Sequence, residues 1–461
     1  MSDAWDPARP VLGPLLRLAG PVVASRLGIM AMGVVDTVVV GRYSATELGY
    51  HALGWAPTGV VLTTALGLLY GIQVMTSQAI GEGRMADTGA ILRRGLVYAF
   101  WIGIAAALLL AGLGGPLMHN VGLNDGLADG ATPVLQIFAL SLLPILLADA
   151  GMFWLEAHGR PVPGMLAMWA ANGVNLALNL WLVPGNSGLP VEGAVASAVS
   201  TAVSRTALMI FIALIILRWS RARAMGVFSP TPHDPAASAA QRRIGYGTAS
   251  SYFVETLAFG TMSIFAGWIG ALAVATWAIV LNIAAVIFMI PLGLGAATAV
   301  MVGRAHGAGS GAGVRRAARL GFAVTTVVLL AICVGIALGN KVLAAAYTLD
   351  MEVRAIAASA LLLSCLFFVA DGLQTVAAQS LRARSDVWWP TATHVASYVL
   401  VMMPLAWLLA IPMGMAVDGL VGGIIVASLM AAGLLWARFW WLTRKTKGPL
   451  RTMSEHGINR S

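Results

Sequence analysis

Apolar stretches of about 20 residues, separated by short polar segments, recur along the whole chain. They predict twelve membrane-spanning helices at roughly 17–40, 52–78, 91–113, 132–156, 162–183, 192–218, 244–269, 271–303, 317–338, 355–381, 390–411 and 417–442. The alternating apolar and polar runs of ~10 residues that mark barrel strands do not appear. The longest polar connection, RWSRARAMGVFSPTPHDPAASAAQRR, follows the sixth span, and its Pro, Ser and Arg content reads as a linker. The chain is therefore read as an all-α polytopic membrane protein: an N-terminal six-helix lobe over 1–220, a cytoplasmic linker over 221–241 and a C-terminal six-helix lobe over 242–461.

The two halves repeat at an offset of 226 residues. GLLYGIQVMTSQAIGEG at Gly67–Gly83 matches GLGAATAVMVGRAHGAG at Gly293–Gly309, and Arg93 and Gly95 fall on Arg319 and Gly321. In the same register GLPVEGAV (188–195) falls on GMAVDGLV (414–421), with Glu192 over Asp418. Six spans per copy is an even number, so both copies share one orientation. That predicts two parallel repeats forming two lobes around a central cavity, an architecture used by transporters. The offset places Ile29, Ile145 and Met262 opposite Glu255, Asp371 and Asp36, so the copies share a scaffold and differ in chemistry.

Composition agrees with this pattern. Of 461 residues 59% are hydrophobic and 10% charged, with mean hydropathy +0.84, against about 25% charged in soluble domains. The net charge of +9 could suggest nucleic acid, yet 23 of the 28 Lys and Arg fall in or beside the termini and connections assigned to one side. Arg42, Lys341 and Arg354 fall on the other side, and Arg26 and Arg205 lie within spans. This is the positive-inside asymmetry, which puts both termini in the cytoplasm and makes an anionic lipid surface the only partner the charge implies. Cys333 and Cys365 have neither the spacing nor the location of a disulfide or metal site, and the seven His form no zinc motif. MSDAWDPARPVLGPLLRLAG is too polar for a cleaved signal, so the first span is expected to remain as an anchor.

Carboxylates inside such spans are costly and face a cavity or a partner. Glu255, in YFVETLAFGTMSIFAGWIGALAVA, and Asp371, in AIAASALLLSCLFFVADGLQTVAAQSL, each lie ten or eleven residues from the cytoplasmic end of their span. At ~1.5 Å per residue both sit ~15 Å deep, as a shared cation or proton site requires. Asp36 lies in the outer third of the first span, and Asp149 nearer the cytoplasmic end of the fourth. Arg26 and Arg205 are expected to snorkel toward the basic side. Arg26 stands ten residues from Asp36, too far to pair with it along one helix. Asn172, Asn175 and Asn179 share one face of the fifth span, placed either to coordinate a cation or to bond between helices. Gln73, Gln78, Asn282 and Gln374 are further cavity-lining candidates. Pro21, Pro144, Pro291 and Pro404 are expected to bend their spans, and Trp388, Trp389, Trp440 and Trp441 to anchor at the interface. With no Walker motif, nucleophile elbow or dinucleotide loop in the chain, energy is expected from an ion gradient or a partner ATPase.

PVVASRLGIMAMGVVDTVVVGRYSATEL resembles the first helix of the multidrug and toxic compound extrusion (MATE) transporters. VETLAFG (254–260), VIFMIPLGLGAATAVMVGRAHG (286–307), ADGLQTVAAQSLRARSD (370–386) and NLALNLWL followed by GLPVEGAV extend the resemblance over all twelve spans, nearest the NorM-like branch. The resemblance implies export of cationic, lipophilic drugs against inward Na⁺ or H⁺, with no other cofactor and no enzymatic reaction. It also implies that Asp36, Glu255 and Asp371 carry cation coupling and substrate efflux, with a Na⁺ ion at Glu255 and Asp371 as one form of it. An inner-membrane location and a monomer are expected with it. The sister DinF-like branch carries an acid where Asn179 stands, and Ala275, Thr276 and Trp277 stand where the family often reads Ala-His-Gln. The alternative is a flippase of related fold for a lipid-linked precursor, whose cavity would need several cations.

Overall fold

The computed structural model describes residues 12–120, 125–230 and 234–445. Residues 1–11 of the segment read as an uncleaved N-terminus, and 231–233 of the linker, lie outside the described residues. Among those described, every regular element is helical. The helices are α1 (Leu12–Tyr43), α2 (Ala45–Leu69), α3 (Gly71–Gly81), α4 (Thr88–Asn120), α5 (Asp125–Leu140), α6 (Leu142–Ala157), α7 (Pro161–Leu182) and α8 (Gly193–Leu217). There follow α9 (Pro235–Ile269), α10 (Ala271–Gly307), α11 (Gly311–Tyr347), α12 (Met351–Arg382), α13 (Trp388–His394), α14 (Met403–Ala410) and α15 (Ala416–Lys445). A π-helix, Val395–Met402, joins α13 to α14.

Eleven helical segments among the described residues are long and apolar enough to cross a membrane. The expected fifth span is also a helix, the 22 residues of α7, but its three asparagines lower its hydropathy. Helix starts follow local chemistry. Ser44, Ser310 and Asp350 cap α2, α11 and α12 by accepting from the backbone N–H of Glu47, Gly313 and Glu352. Asp234 accepts from the Ala237 N–H at 2.9 Å, so the segment expected as linker turns helical from Pro235 onward. Pro144 stands just after the break between α5 and α6, and Pro404 just after the π-helix, where a missing N–H interrupts the regular ladder.

The described chain divides into two compact units. The N-terminal unit comprises Ala24–Thr76 and Arg84–Ala249; the C-terminal unit comprises 12–23, Ser77–Gly83 and 250–445. Within the N-terminal unit α7 packs on α8, α2 on α5, and α4 on α5 and α6. Within the C-terminal unit α12 is central, packed by α10, α11 and α15. Small residues make the close contacts. A Cβ at Gly67 would lie 2.5 Å from the Ala249 Cα, and one at Gly419 2.5 Å from the Ala410 nitrogen, so only glycine admits these backbones. Alanines fill both interiors, while large apolar side chains such as Leu108, Val327, Leu338 and Val342 face outward. Lipid tails are as apolar as leucine, so helix association gains from close packing rather than from hiding leucines. Trp388, Trp389 and Trp441 are exposed near span ends, as interfacial anchors are.

Candidate functional site

In the C-terminal unit, α12 carries Asp371 about two-thirds of the way along its length and buries it. Asp371 Oδ1 accepts from Gln374 Nε2 at 3.2 Å and from the Tyr398 hydroxyl at 3.2 Å. Gln374 lies one turn further along α12, and its Oε1 is 2.9 Å from His394 Nε2. Tyr398 comes from the π-helix, the kind of widened turn that recurs at functional sites. His394 and Tyr398 thus share a face, with ring centroids 5.4 Å apart. Glu255 on α9 is half-buried and near enough to Asp371 and Arg382 for their charges to interact. Arg382 is fully buried, with its guanidinium 5.1 Å over the ring of Tyr252, one turn before Glu255. The two carboxylates singled out in the sequence therefore meet in one unit, with Gln374 beside them. Tyr398, His394 and Arg382 complete the cluster.

The N-terminal unit builds a second buried cluster around Asp36, which α1 places against α7 and α8. Asp36 Oδ1 accepts from Asn175 Nδ2 at 3.0 Å and Asn179 Nδ2 at 2.8 Å, and Oδ2 accepts from the Thr201 hydroxyl at 2.6 Å. Asn175 and Asn179 are fully buried, and their Oδ1 atoms have no hydrogen-bond partner among the described residues. Rotating either amide would present an oxygen where the nitrogen now points. A small cation with a carboxylate and several neutral oxygens at hand is suitably held. The third asparagine of the stripe, Asn172, donates instead to the Gly28 and Met168 carbonyls and ties α7 to α1.

Both span arginines are buried, contrary to the expectation that they snorkel. Arg26 Nη2 lies 3.1 and 3.2 Å from the two carboxylate oxygens of Glu156, and Gln73 Nε2 donates to Glu156 at 3.1 Å. Arg205 donates to the Ser141 hydroxyl at 2.6 Å and lies 5.3 Å over the Trp55 ring. Each arginine stays inside because a partner satisfies it there, which relieves the cost that drives snorkelling. Gln73 consequently belongs to the Arg26–Glu156 pair. Asn282 is exposed and accepts from the Tyr347 hydroxyl at 2.8 Å, and Gln78 donates to the Ala383 carbonyl at 2.8 Å. Glu156, an acid at the end of an apolar span, resembles an interfacial residue in the sequence alone. Thr201 gave no sequence signal, and His394 and Tyr398 gave only a polar pair four residues apart.

No trio of His, Cys, Asp or Glu suited to a transition metal occurs among the described residues. The donor sets in both units are oxygen-rich and suit Na⁺ or a proton.

Comparison with known proteins gives one consistent result. The MatE family model matches residues 21–181 and again 248–408, so the repeat read from the sequence is one family unit used twice. The "Probable multidrug resistance protein NorM" of Caulobacter vibrioides is 51% identical, over 94% of this chain and 92% of that one. The "Multidrug resistance protein MdtK" of Edwardsiella ictaluri is 27% identical, over 97% and 98%. Among solved structures, the eukaryotic MATE transporter AtDTX14 superposes with TM-score 0.85 at 20% identity, covering 94% of this chain and 97% of that one. An outward-facing multidrug resistance MATE family transporter superposes with TM-score 0.86 at 17% identity, covering 94% and 96%. Matched over both halves by the family pattern, and half identical to a relative along nearly its full length, the chain belongs to the MatE family as a NorM-like transporter.

Proposed function

We propose that the protein is a secondary active exporter of cationic, lipophilic organic compounds, driven by inward Na⁺ or H⁺. The observation that carries this reading is the meeting of Glu255 and Asp371 within one unit, one half-buried and the other buried. Two neighbouring carboxylates at membrane depth hold negative charge that either a small cation or an organic cation can neutralise. Coupling then follows from competition. An ion taken up from outside neutralises the pair and releases drug; ion release inside restores the charge that captures the next drug molecule. Alternating exposure by rocking of the two lobes separates the two events. Asp36, with Asn175, Asn179 and Thr201, is the cation site of the N-terminal unit in this scheme. The names of the relatives, multidrug resistance proteins, support the same reading. The protein acts as a monomer in the inner membrane with both termini cytoplasmic, in keeping with the basic residues on that side.

A flippase for a polyanionic lipid-linked precursor would need free cations inside the spans. Arg26 and Arg205 are instead bound to Glu156 and to Ser141. Ethidium export from proteoliposomes, with Na⁺ and pH gradients imposed separately, tests the proposal. Export under one gradient, abolished in Glu255→Gln and Asp371→Asn, is the expected result. Wild-type protein that moves no organic cation under either gradient would overturn it.

A further inference from the structure

Asp149 lies on α6 in the N-terminal unit and is 1% exposed. Its Oδ1 has no hydrogen-bond partner among the described residues. The charged groups that act on it are Arg26 from α1, Glu156 two turns along its own helix, and Arg205 from α8. Helices α2, α4, α5 and α7 also pack on α6, and among the described residues none brings a further charged group to bear on Asp149.

Charge balance within this unit bears on Asp149. Among the described residues, the buried charged groups of this unit are the acids Asp36, Asp149 and Glu156 and the cations Arg26 and Arg205, together with one histidine, His51. Three acids against two guanidiniums leave one negative charge in excess, which an apolar interior does not carry uncompensated. Without a bound metal cation, one proton restores neutrality, and four groups compete for it. Glu156 has Arg26 on both of its oxygens and Gln73 on one. Asp36 receives two amide donors and the Thr201 hydroxyl. The Thr201 hydroxyl itself accepts from Asn175 Nδ2, so its hydrogen points at Asp36. Such donors favour the ionised form of both acids. His51 sits edge-on against Phe138 with Nε2 unpartnered, so a second ring hydrogen would be buried with nothing to receive it. Only Asp149 gains from neutralisation and loses no hydrogen bond by it.

We propose that Asp149 is a proton-binding site of the N-terminal unit, distinct from the carboxylates at Asp36, Glu255 and Asp371, and that it is protonated at neutral pH in the cation-free protein. Arg205 is near enough to both Asp36 and Asp149 for its charge to act on each.

The test is infrared spectroscopy of the purified full-length protein in Na⁺-free buffer at pH 7, comparing wild type with Asp149→Asn. Asparagine is close in shape to a protonated aspartate, so this variant keeps the packing. The expected result is loss of one protonated-carboxyl C=O band from the wild-type spectrum. A difference spectrum with that region unchanged and only ionised carboxylate lost would overturn the proposal. Should the asparagine variant fail to fold, Asp149→Glu gives the same decision: a shifted protonated-carboxyl band supports the site, and an unshifted one overturns it. Because the readout is a vibration and not transport, the outcome stands whether or not the protein exports ethidium.

Discussion

The amide of Gln374 fixes the tautomer of His394. Gln374 Nε2 donates to Asp371 Oδ1 and also to the Thr375 hydroxyl at 3.3 Å, whose own hydrogen is committed to the Asp371 carbonyl. Oε1 of the amide therefore faces His394 Nε2, at 2.9 Å, and only accepts. With the amide in this orientation, the ring hydrogen sits on Nε2. Asp371 is thus held by an amide whose oxygen in turn orients a neighbouring ring.

Gln374→Met keeps the length of the side chain and removes both bonds. A buried group left unpaired costs about 1–3 kcal/mol, so the variant should unfold at distinctly lower denaturant in detergent. The ¹⁵N shifts of His394 should move from those of an Nε2–H ring toward a mixture of tautomers. Unchanged histidine shifts would show that the amide does not control the ring.

Tyr398→Phe removes one of the two side-chain donors to Asp371 and keeps the ring. A hydrogen bond to a charged group contributes about 1.5–3 kcal/mol, and this one stabilises the carboxylate when it holds no cation. Without it the carboxylate should hold the driving cation more tightly. The half-saturating cation concentration for export should then fall about tenfold or more, since ~1.4 kcal/mol is a factor of ten. Turnover should fall as well, because release slows. A rise in the half-saturating concentration would contradict this sign.

How far the sequence carries the fold and the site follows from the range of each signal. Span position is written locally, in runs of apolar residues, and even α7 is found although three asparagines dilute it. Glu255 and Asp371 stand out because a charge in an apolar run is a local anomaly. Their partners do not. Tyr398 reaches Asp371 from a helix widened into a π-turn, and no residue type in VASYVLVM announces that turn. In the sequence alone Arg26 resembles a snorkelling residue, because its partner, Glu156, stands 130 positions away on another helix. Pairing between helices depends on rotation and depth, which periodicity in one helix leaves open.

The Arg26–Glu156 pair allows a sharper energetic test. Both side chains are under a tenth exposed, and either one alone would be an uncompensated buried charge. Arg26→Met or Glu156→Met should each destabilise the protein by about 3–5 kcal/mol. The double variant should recover much of the loss, because a buried pair replaced by apolar groups is often close to neutral. A double-mutant cycle by chemical unfolding measures this, and additive losses would show that the two residues act independently.

Asn179→Asp tests whether the Asp36 cluster is built around a single negative charge. The substitution exchanges a donor, 2.8 Å from Asp36 Oδ1 and 3.0 Å from the Asn175 carbonyl, for an acceptor facing both. Two carboxylates this close cannot both be ionised without a proton or a cation between them. The variant binds that proton more tightly folded than unfolded, so its stability is present at low pH and is lost as pH rises. From pH 5 to pH 8 its unfolding midpoint should therefore fall by the equivalent of several kcal/mol, as for an uncompensated buried charge. Na⁺ should restore part of the loss at pH 8, since the two carboxylates and the neighbouring amide oxygens suit a small hard cation, while choline should not. Melts in detergent across this range, in NaCl and in choline chloride, give the answer. A variant whose midpoint tracks wild type at every pH, with no difference between the two salts, would mean that the position tolerates a second carboxylate, and that Asp36 is not held in a site tuned to one charge.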